Sequence, residues 1–229
     1  MTRQKQRVSF RPAPDIKPMP DKQDVLFPLL NISRHRMGID GRGVTTLVAG
    51  ASCPLHCKWC INRDILKRNK YERISAKDLY ERVRGDDLYF RATGGGITFG
   101  GGESLLQAAF FAPFREICGD EWRLCAETSL AVPRKLVELA EKTIDEFIVD
   151  CKDMDPEIYH AYTGGDQALM EDNLLFLLEK AGPERVVVRV PLIPEFNTEE
   201  AQQKSAERLK ELGVTRLDLF QYIRRDHTE

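Results

Sequence analysis

From about residue 44 onward, short apolar runs with strand character alternate with stretches of helical periodicity, the pattern of successive βα units carrying a parallel sheet. Val44–Ala49 reads as the first strand, and Ala76–Arg84 as a helix that Ser75 is placed to cap. Ile97–Phe99 is a short second strand between glycine clusters, followed by a helix over Glu103–Cys118. Arg123–Ala126 with Pro133–Glu141 makes a third unit, and Phe147–Asp150 with Met170–Lys180 a fourth. Arg185–Val190 (Arg-Val-Val-Val-Arg-Val) is the clearest strand in the chain. A helix over Thr198–Leu212 and a sixth strand, Leu217–Phe220, complete the series. Six such units are too few for a closed eight-fold barrel, so the expected fold is α/β with parallel strands in a partial, open (β/α)6 barrel. Polar and glycine-rich stretches repeatedly follow the strands, and in parallel α/β folds sites are built at the carboxyl ends of strands.

Upstream of this pattern, residues 1–30 hold five of the twelve prolines, among them Pro12, Pro14, Pro18 and Pro20. That composition opposes helix and regular sheet, so 1–30 is expected to form an extended arm and 31–229 the folded domain. With 34 basic and 36 acidic residues the charge is close to balanced, and neither nucleic acid nor a membrane surface is indicated. No apolar run approaches the roughly 18 residues a membrane span needs. The start, Met1-Thr-Arg-Gln-Lys-Gln-Arg7, has no apolar stretch after its charges and does not read as a secretory signal. A cytoplasmic chain is expected, in which the six cysteines remain thiols.

Three of those cysteines, Cys53, Cys57 and Cys60, lie within eight residues in the spacing C-x3-C-x2-C. A short loop lets three sulfurs converge on one inorganic centre. Three thiolates leave one iron of a [4Fe–4S] cluster open for cofactor chemistry, since four cysteines is the usual complement. Structural zinc is the rival, but it wants four closed ligands, usually in two separated pairs, and His56 is wedged between two of the cysteines. The third reading is unligated core thiols. Cys118, Cys125 and Cys151 stand singly and read as small buried hydrophobes. The second conspicuous stretch, Thr93–Ser104, has six glycines in the nine residues 94–102. Glycine admits positive φ and a close approach of backbone to a ligand, and no Gly-Lys-Ser/Thr follows to make a phosphate loop.

The cysteine spacing, with Trp59 before the last cysteine, resembles the signature of the radical S-adenosylmethionine (radical SAM) superfamily, and Gly101-Gly102-Glu103 resembles its GGE motif. Further likenesses narrow this to the glycyl radical enzyme activases, relatives of pyruvate formate-lyase activating enzyme. Asp40-Gly-Arg-Gly43 is similar to their DGPG, Cys60-Ile-Asn62 to their C-x-N, and Glu127-Thr-Ser129 to their ETxG stretch. Asp150-Cys-Lys152 is similar to D-x-K, Asp155 through His160 and Thr163-Gly164 to DxxxH…TG, and Arg189–Pro194 to RxPLIP. These pieces span roughly residues 33–222 in family order.

The resemblance implies the partial barrel, one [4Fe–4S] cluster on Cys53, Cys57 and Cys60, and S-adenosyl-L-methionine (SAM) chelated to the fourth iron. One electron then cleaves the sulfonium to a 5′-deoxyadenosyl radical, which takes hydrogen from a backbone glycine of a partner glycyl radical enzyme. A flavodoxin- or ferredoxin-type reductant is implied as the electron donor. Trp59 is expected near the adenine, and Gly101, Gly102 and Glu103 at the SAM amino group. Thr128 is expected in the same pocket, Asp150 and Lys152 near the ribose or carboxylate, and Arg189 near the carboxylate or the substrate peptide. Each charged residue can equally be a solvated strand end, and Asp150 and Lys152, two apart, can simply pair. His160 reads as structural, and Tyr162 carries no signal. Ser104 stands where proline is common, Pro194-Glu195-Phe196 where Pro-Gly is usual, and Ile223 where the family has a SAM-contacting histidine. Other readings are a radical SAM enzyme acting on another peptide or a small molecule, and a non-catalytic iron–sulfur sensor.

Overall fold

The computed structural model describes residues 25–68 and 70–222. Its strands are β1 (Phe27–Met37), β2 (Val44–Gly50), β3 (Glu72–Ile74), β4 (Gly96–Gly101), β5 (Arg123–Thr128), β6 (Glu146–Asp150), β7 (Val186–Leu192) and β8 (Arg216–Gln221). They form one sheet in the order β3-β1-β2-β4-β5-β6-β7-β8. From β2 to β8 every neighbour is parallel, and these are the six strands that the hydrophobic pattern predicts. β3 and β8 are the two edges, so the sheet is open, as a partial barrel requires.

The helices are α1 (Arg63–Arg68), α2 (Ala76–Val83), α3 (Asp87–Thr93), α4 (Ala108–Cys118), α5 (Arg134–Glu141), α6 (Pro156–Thr163), α7 (Gln167–Lys180) and α8 (Glu199–Glu211). Ser75 caps α2 as expected, accepting from the Asp78 amide at 3.1 Å. Two departures matter. Phe27–Met37, with no strand pattern beyond its apolar start, pairs antiparallel with β2 and β3, so the sheet takes in the last residues of the stretch read as an arm. Residues 1–24 lie outside the described residues. The helix expected from Glu103 opens instead as a 3-10 turn, Ser104–Gln107, before α4. Glu103 is extended and its carboxylate accepts from the Leu105 amide, which turns the chain before a regular helix begins.

Side chains alternate across a strand, and in this sheet the alternation separates two chemistries. Val48, Ile97, Phe99, Leu124, Ala126, Phe147, Val149, Val186, Val188 and Val190 are buried in the core under the helices. Phe27, Phe99, Phe110, Phe111 and Phe114 interlock there at centroid distances of 4.7–6.3 Å. Positions of opposite parity carry Thr98, Arg123, Cys125, Glu127, Glu146, Asp150, Arg189, Arg216 and Asp218. Ion pairs cross the strands on that face, Glu146 meeting Arg216 at 2.6 Å and Arg123 at 3.6 Å. The loop Asp40–Gly43 lies against it: Thr98 Oγ1 donates to the Asp40 carbonyl at 2.5 Å, and Arg189 donates to the carbonyl of Ile39.

Asn173 on α7, fully buried, donates at 2.8 Å to both the Leu130 and Val132 carbonyls and so anchors the loop after β5. Asn173→Ala leaves two buried carbonyls unpaired, and a loss of about 3 kcal/mol is expected. Urea unfolding checks this, and a change under ~0.5 kcal/mol would mean the loop is held some other way.

Candidate functional site

The cysteine loop is held by backbone on two sides. Toward the sheet, Gly102 N donates to Gly50 O at 3.0 Å and Glu103 N to Ser52 O at 2.9 Å. Toward α6, His56 N donates to Thr163 O at 2.8 Å and Lys58 N to Tyr162 O at 3.0 Å. Asn62 Nδ2 closes on Gly101 O at 2.6 Å, and Arg63 donates to Cys57 O at 2.9 Å. Gly102 is the contact point. A Cβ there would overlap the Ser52 carbonyl oxygen, and at Gly101, φ +90°, it would meet Ala49. The glycine cluster thus lets β4 pass directly under the cysteine loop.

Cys53, Cys57 and Cys60 are all half-buried free thiols. Burial pushes Cys53 up to about 11, with Glu103, Cys57 and Cys60 adding repulsion, and burial raises Cys57 as well. Lys152 opposes that rise at Cys57. Among the described residues no three His, Cys, Asp or Glu side chains close on a single ion. A loop carrying three cysteines fits a cluster in which each thiolate binds a different iron, whereas a structural zinc needs four ligands on one ion. Cys118 is half-buried, and Cys125 and Cys151 are buried.

Glu103 is 2 % exposed, and four donors surround its carboxylate: Thr128 Oγ1 at 2.6 Å, Leu105 N at 3.1 Å, Ser129 N at 2.8 Å and Ser129 Oγ at 2.6 Å. Each oxygen accepts twice, which uses the carboxylate's acceptor positions. Burial still raises its pKa, against the pull of Ser129 and Thr128. Glu103 and Thr128 therefore act here as a clasp between the ends of β4 and β5. Ser104 adds a bond to Glu127 O at 2.7 Å, work that a proline in its place would not do.

Asp150 and Lys152 do pair, at 3.0 Å, and Lys152 also reaches the Tyr222 hydroxyl at 2.9 Å. Burial works against the Lys152 ammonium, but Asp150 and Tyr222 outweigh it and hold it well above the usual lysine range. Arg189 bonds Glu127 at 2.9 Å and stands 3.7 Å from Asp218. Trp59 Nε1 donates to Pro194 O at 3.3 Å, and its ring meets Phe196 edge-on at 6.4 Å. Tyr162, which carries no signal in the sequence, packs against Phe196 at 5.1 Å. Glu195 sits at φ +71°, the left-handed region that favours glycine, so the backbone shape of a Pro-Gly persists although the residue differs. His160 is exposed, its ring 3.1 Å from Gly165 O. Ile223 lies outside the described residues.

The sequence profile of the radical SAM superfamily matches residues 47–206. The chain belongs to the radical SAM superfamily and is an enzyme of that type, with the [4Fe–4S] cluster and SAM as its cofactors. Within the superfamily it is similar to activating enzymes. It is 36% identical over 135 residues to the (2S)-3-sulfopropanediol dehydratase activating enzyme of Klebsiella oxytoca, covering 57% of this chain and 42% of that one. It is 28% identical over 186 residues to the pyruvate formate-lyase-activating enzyme of Clostridium pasteurianum, covering 80% of this chain and 77% of that one. Among solved structures, Streptococcus suis SuiB bound to S-adenosylmethionine shares the fold, with a TM-score of 0.58, 13% identity, and coverage of 80% of this chain and 40% of that one.

Gly102→Ala is expected to push the cysteine loop off β4 and cut the iron bound after anaerobic reconstitution several-fold, with the far-ultraviolet circular dichroism unchanged. Gly94→Ala is the control: at φ +68° with open space around it, it should cost only about 1 kcal/mol of stability and no iron. Equal iron content in both variants would remove Gly102 from the site.

Proposed function

We propose that this enzyme is a glycyl radical enzyme activase. Bound at Cys53, Cys57 and Cys60, the cluster would supply the electron that cleaves SAM, yielding the oxidant that removes hydrogen from a backbone glycine of the partner. The protein's part is placement. The loop bonds to Ser52, Thr163 and Tyr162 fix the three thiols, and the Glu103 clasp holds the end of β4 beneath them. Asp150, Lys152 and Tyr222 offer opposite charges and a hydroxyl to the zwitterionic, sugar-bearing cofactor. Because the Glu103 carboxylate is already saturated, its part at the SAM amino end is to shape the backbone of Gly101 and Gly102. Trp59 with Phe196 forms an apolar wall suited to a purine ring.

One observation carries the peptide reading: the polar face of the sheet continues to β8, which has no strand partner beyond β7 among the described residues. A trough open along one edge admits an extended chain, and glycine, lacking a side chain, can approach most closely. Leaving its own fold costs the donor loop ordering free energy on binding; SAM cleavage is expected to be slow without the partner. We place the enzyme in the cytoplasm, with a flavodoxin- or ferredoxin-type protein as reductant. No helix of the described residues is long and apolar enough to cross a membrane.

Anaerobic reconstitution of the wild type should give close to four irons per chain, by the cubane stoichiometry. Cys53→Ala, Cys57→Ala and Cys60→Ala should each lose that iron, whereas Cys118→Ala should keep it. Stoichiometric zinc in place of iron would sink the cluster assignment. Lys152→Ala should keep the iron and weaken SAM binding roughly ten- to a hundredfold, the cost of one charged hydrogen bond. With reductant, SAM and a glycyl radical enzyme encoded beside this gene, electron paramagnetic resonance should show a glycine-centred doublet. Consumption of a small molecule without a protein radical would overturn the activase reading.

A further inference from the structure

Several exposed cations of this molecule are matched by acids: Arg82, Arg84, Arg91 and Arg208 pair with Glu72, Glu81, Glu121 and Glu171. The segment leaving the cysteine loop departs from that habit. Between His56 and Tyr71 stand five basic residues, Lys58, Arg63, Lys67, Arg68 and Lys70, and one acidic residue, Asp64. The chain as a whole has 34 basic and 36 acidic residues, so the excess is local. All five are exposed, and none forms an ion pair among the described residues. Apolar surface lies among them. Ile61, directly after Cys60, is 95 % exposed, and Ile65 is exposed four positions on. Helix α1, which carries Ile65, buries none of its residues. A six-residue helix with no face on the core gains nothing from packing, and bare isoleucines ringed by cations have the anatomy of an interface.

The place of this surface limits what meets it. Arg63 reaches back to the carbonyls of Cys57 and Lys58, so α1 is fastened to the cysteine loop. Lys67 follows Arg63 by one turn on the same side of the helix. The sheet and α6 hold two sides of the loop, while Pro54, His56 and Lys58 on its outer side are exposed. A protein approaching Cys57 and Cys60 from solvent therefore meets this cationic surface. Electron transfer slows steeply with the separation of the two centres, so a carrier must dock close to those cysteines.

We propose that Lys58, Ile61, Arg63, Ile65, Lys67 and Arg68 form the docking surface for an acidic one-electron carrier protein that reduces the cluster. This rests on the reading of Cys57 and Cys60 as cluster ligands and of a carrier protein as reductant. One electron leaves the carrier's reduced centre, which is oxidised by one electron, and enters the cluster, which is reduced by one; no bond forms or breaks. Opposite charge steers the encounter and sets the carrier's orientation. The patch is small, as suits a weak redox complex that must part after each electron.

Lys67→Glu/Arg68→Glu, made in the full chain, tests this with binding and electron entry read separately and without the glycyl radical enzyme. Oxidised flavodoxin is the binding probe, titrated onto the metal-free and the reconstituted protein. Fully reduced flavodoxin is then mixed anaerobically with the reconstituted protein in a stopped-flow instrument, and bleaching of the cluster is followed. The double variant should bind flavodoxin more weakly in both forms and take its electron about tenfold more slowly at low salt. That gap should close toward 1 M salt, where the screening length is roughly 3 Å. Ile61→Asn should weaken binding at any salt. Iron content should equal wild type, and photoreduced deazaflavin, a small molecule that needs no docking surface, should reduce wild type and variant equally fast. Lys135→Glu/Lys142→Glu makes the same charge change on α5 and should behave as wild type. Flavodoxin binding and reduction rates equal to wild type in Lys67→Glu/Arg68→Glu overturn the proposal, and so does a wild type that binds no flavodoxin. An equal slowing in the α5 variant also overturns it, because net charge would then be the cause. Lost affinity for the glycyl radical enzyme with flavodoxin binding unmoved would give the surface to that protein instead. A wild type that takes up no iron defeats the cluster assignment and the proposal with it. The absence of a glycine radical alone would strike only the activase reading, since docking and cluster reduction are measured without that partner.

Discussion

Burying a carboxylate away from any cation is costly unless protein donors replace the lost water, and the site depends on how Glu103 meets that demand. Its four donors come from its own following turn and from Thr128 and Ser129 at the end of β5. Satisfying one side chain therefore fixes the ends of two adjacent strands relative to each other. The same residue's amide bonds Ser52, so the cysteine loop is registered to the same point. Three segments distant in sequence are brought to one place by the hydrogen-bonding requirement of a single buried group.

The sheet supports this with an uneven division of labour between its faces. On the helix side, β-branched and aromatic residues supply the stability. The other face is built of threonine and ion-paired arginines and glutamates, which contribute little net free energy of their own but keep that face open and polar. Arg189 shows the consequence. It bonds Glu127, approaches Asp218 and holds the Ile39 carbonyl, so it joins β5, β8 and the turn that enters the Asp40–Gly43 loop. A residue with so many partners is a brace before it is a binding group.

A similar economy runs through the rim. Lys152 stays charged although buried, because Asp150 and Tyr222 flank it. Glu195 keeps a glycine-like backbone, which preserves the turn that offers Pro194 O to Trp59. These contacts make the rim a set of coupled pairs, in which the loss of one member leaves another stranded.

The alternation of apolar runs with helical stretches was enough to locate the six parallel strands β2, β4, β5, β6, β7 and β8. Cysteine spacing and glycine density were likewise legible, because local geometry governs both. The antiparallel β1 was not legible. Apart from its apolar start, Asn31–Met37 is polar, and the strand forms because β2 and β3 offer it backbone partners on both sides. Nor could sequence separate a pocket group from a clasp. Glu103 stood out by its motif, but only the fold brings Thr128 and Ser129 to its carboxylate. Tyr222, seventy residues after Lys152, becomes its partner only through the order of strands. Tyr159 is an ordinary helical tyrosine until packing encloses its hydroxyl without an acceptor. Spacing along a chain reports on groups that one loop can gather. Partners drawn from different strands meet through sheet order and register, which the tertiary structure alone decides.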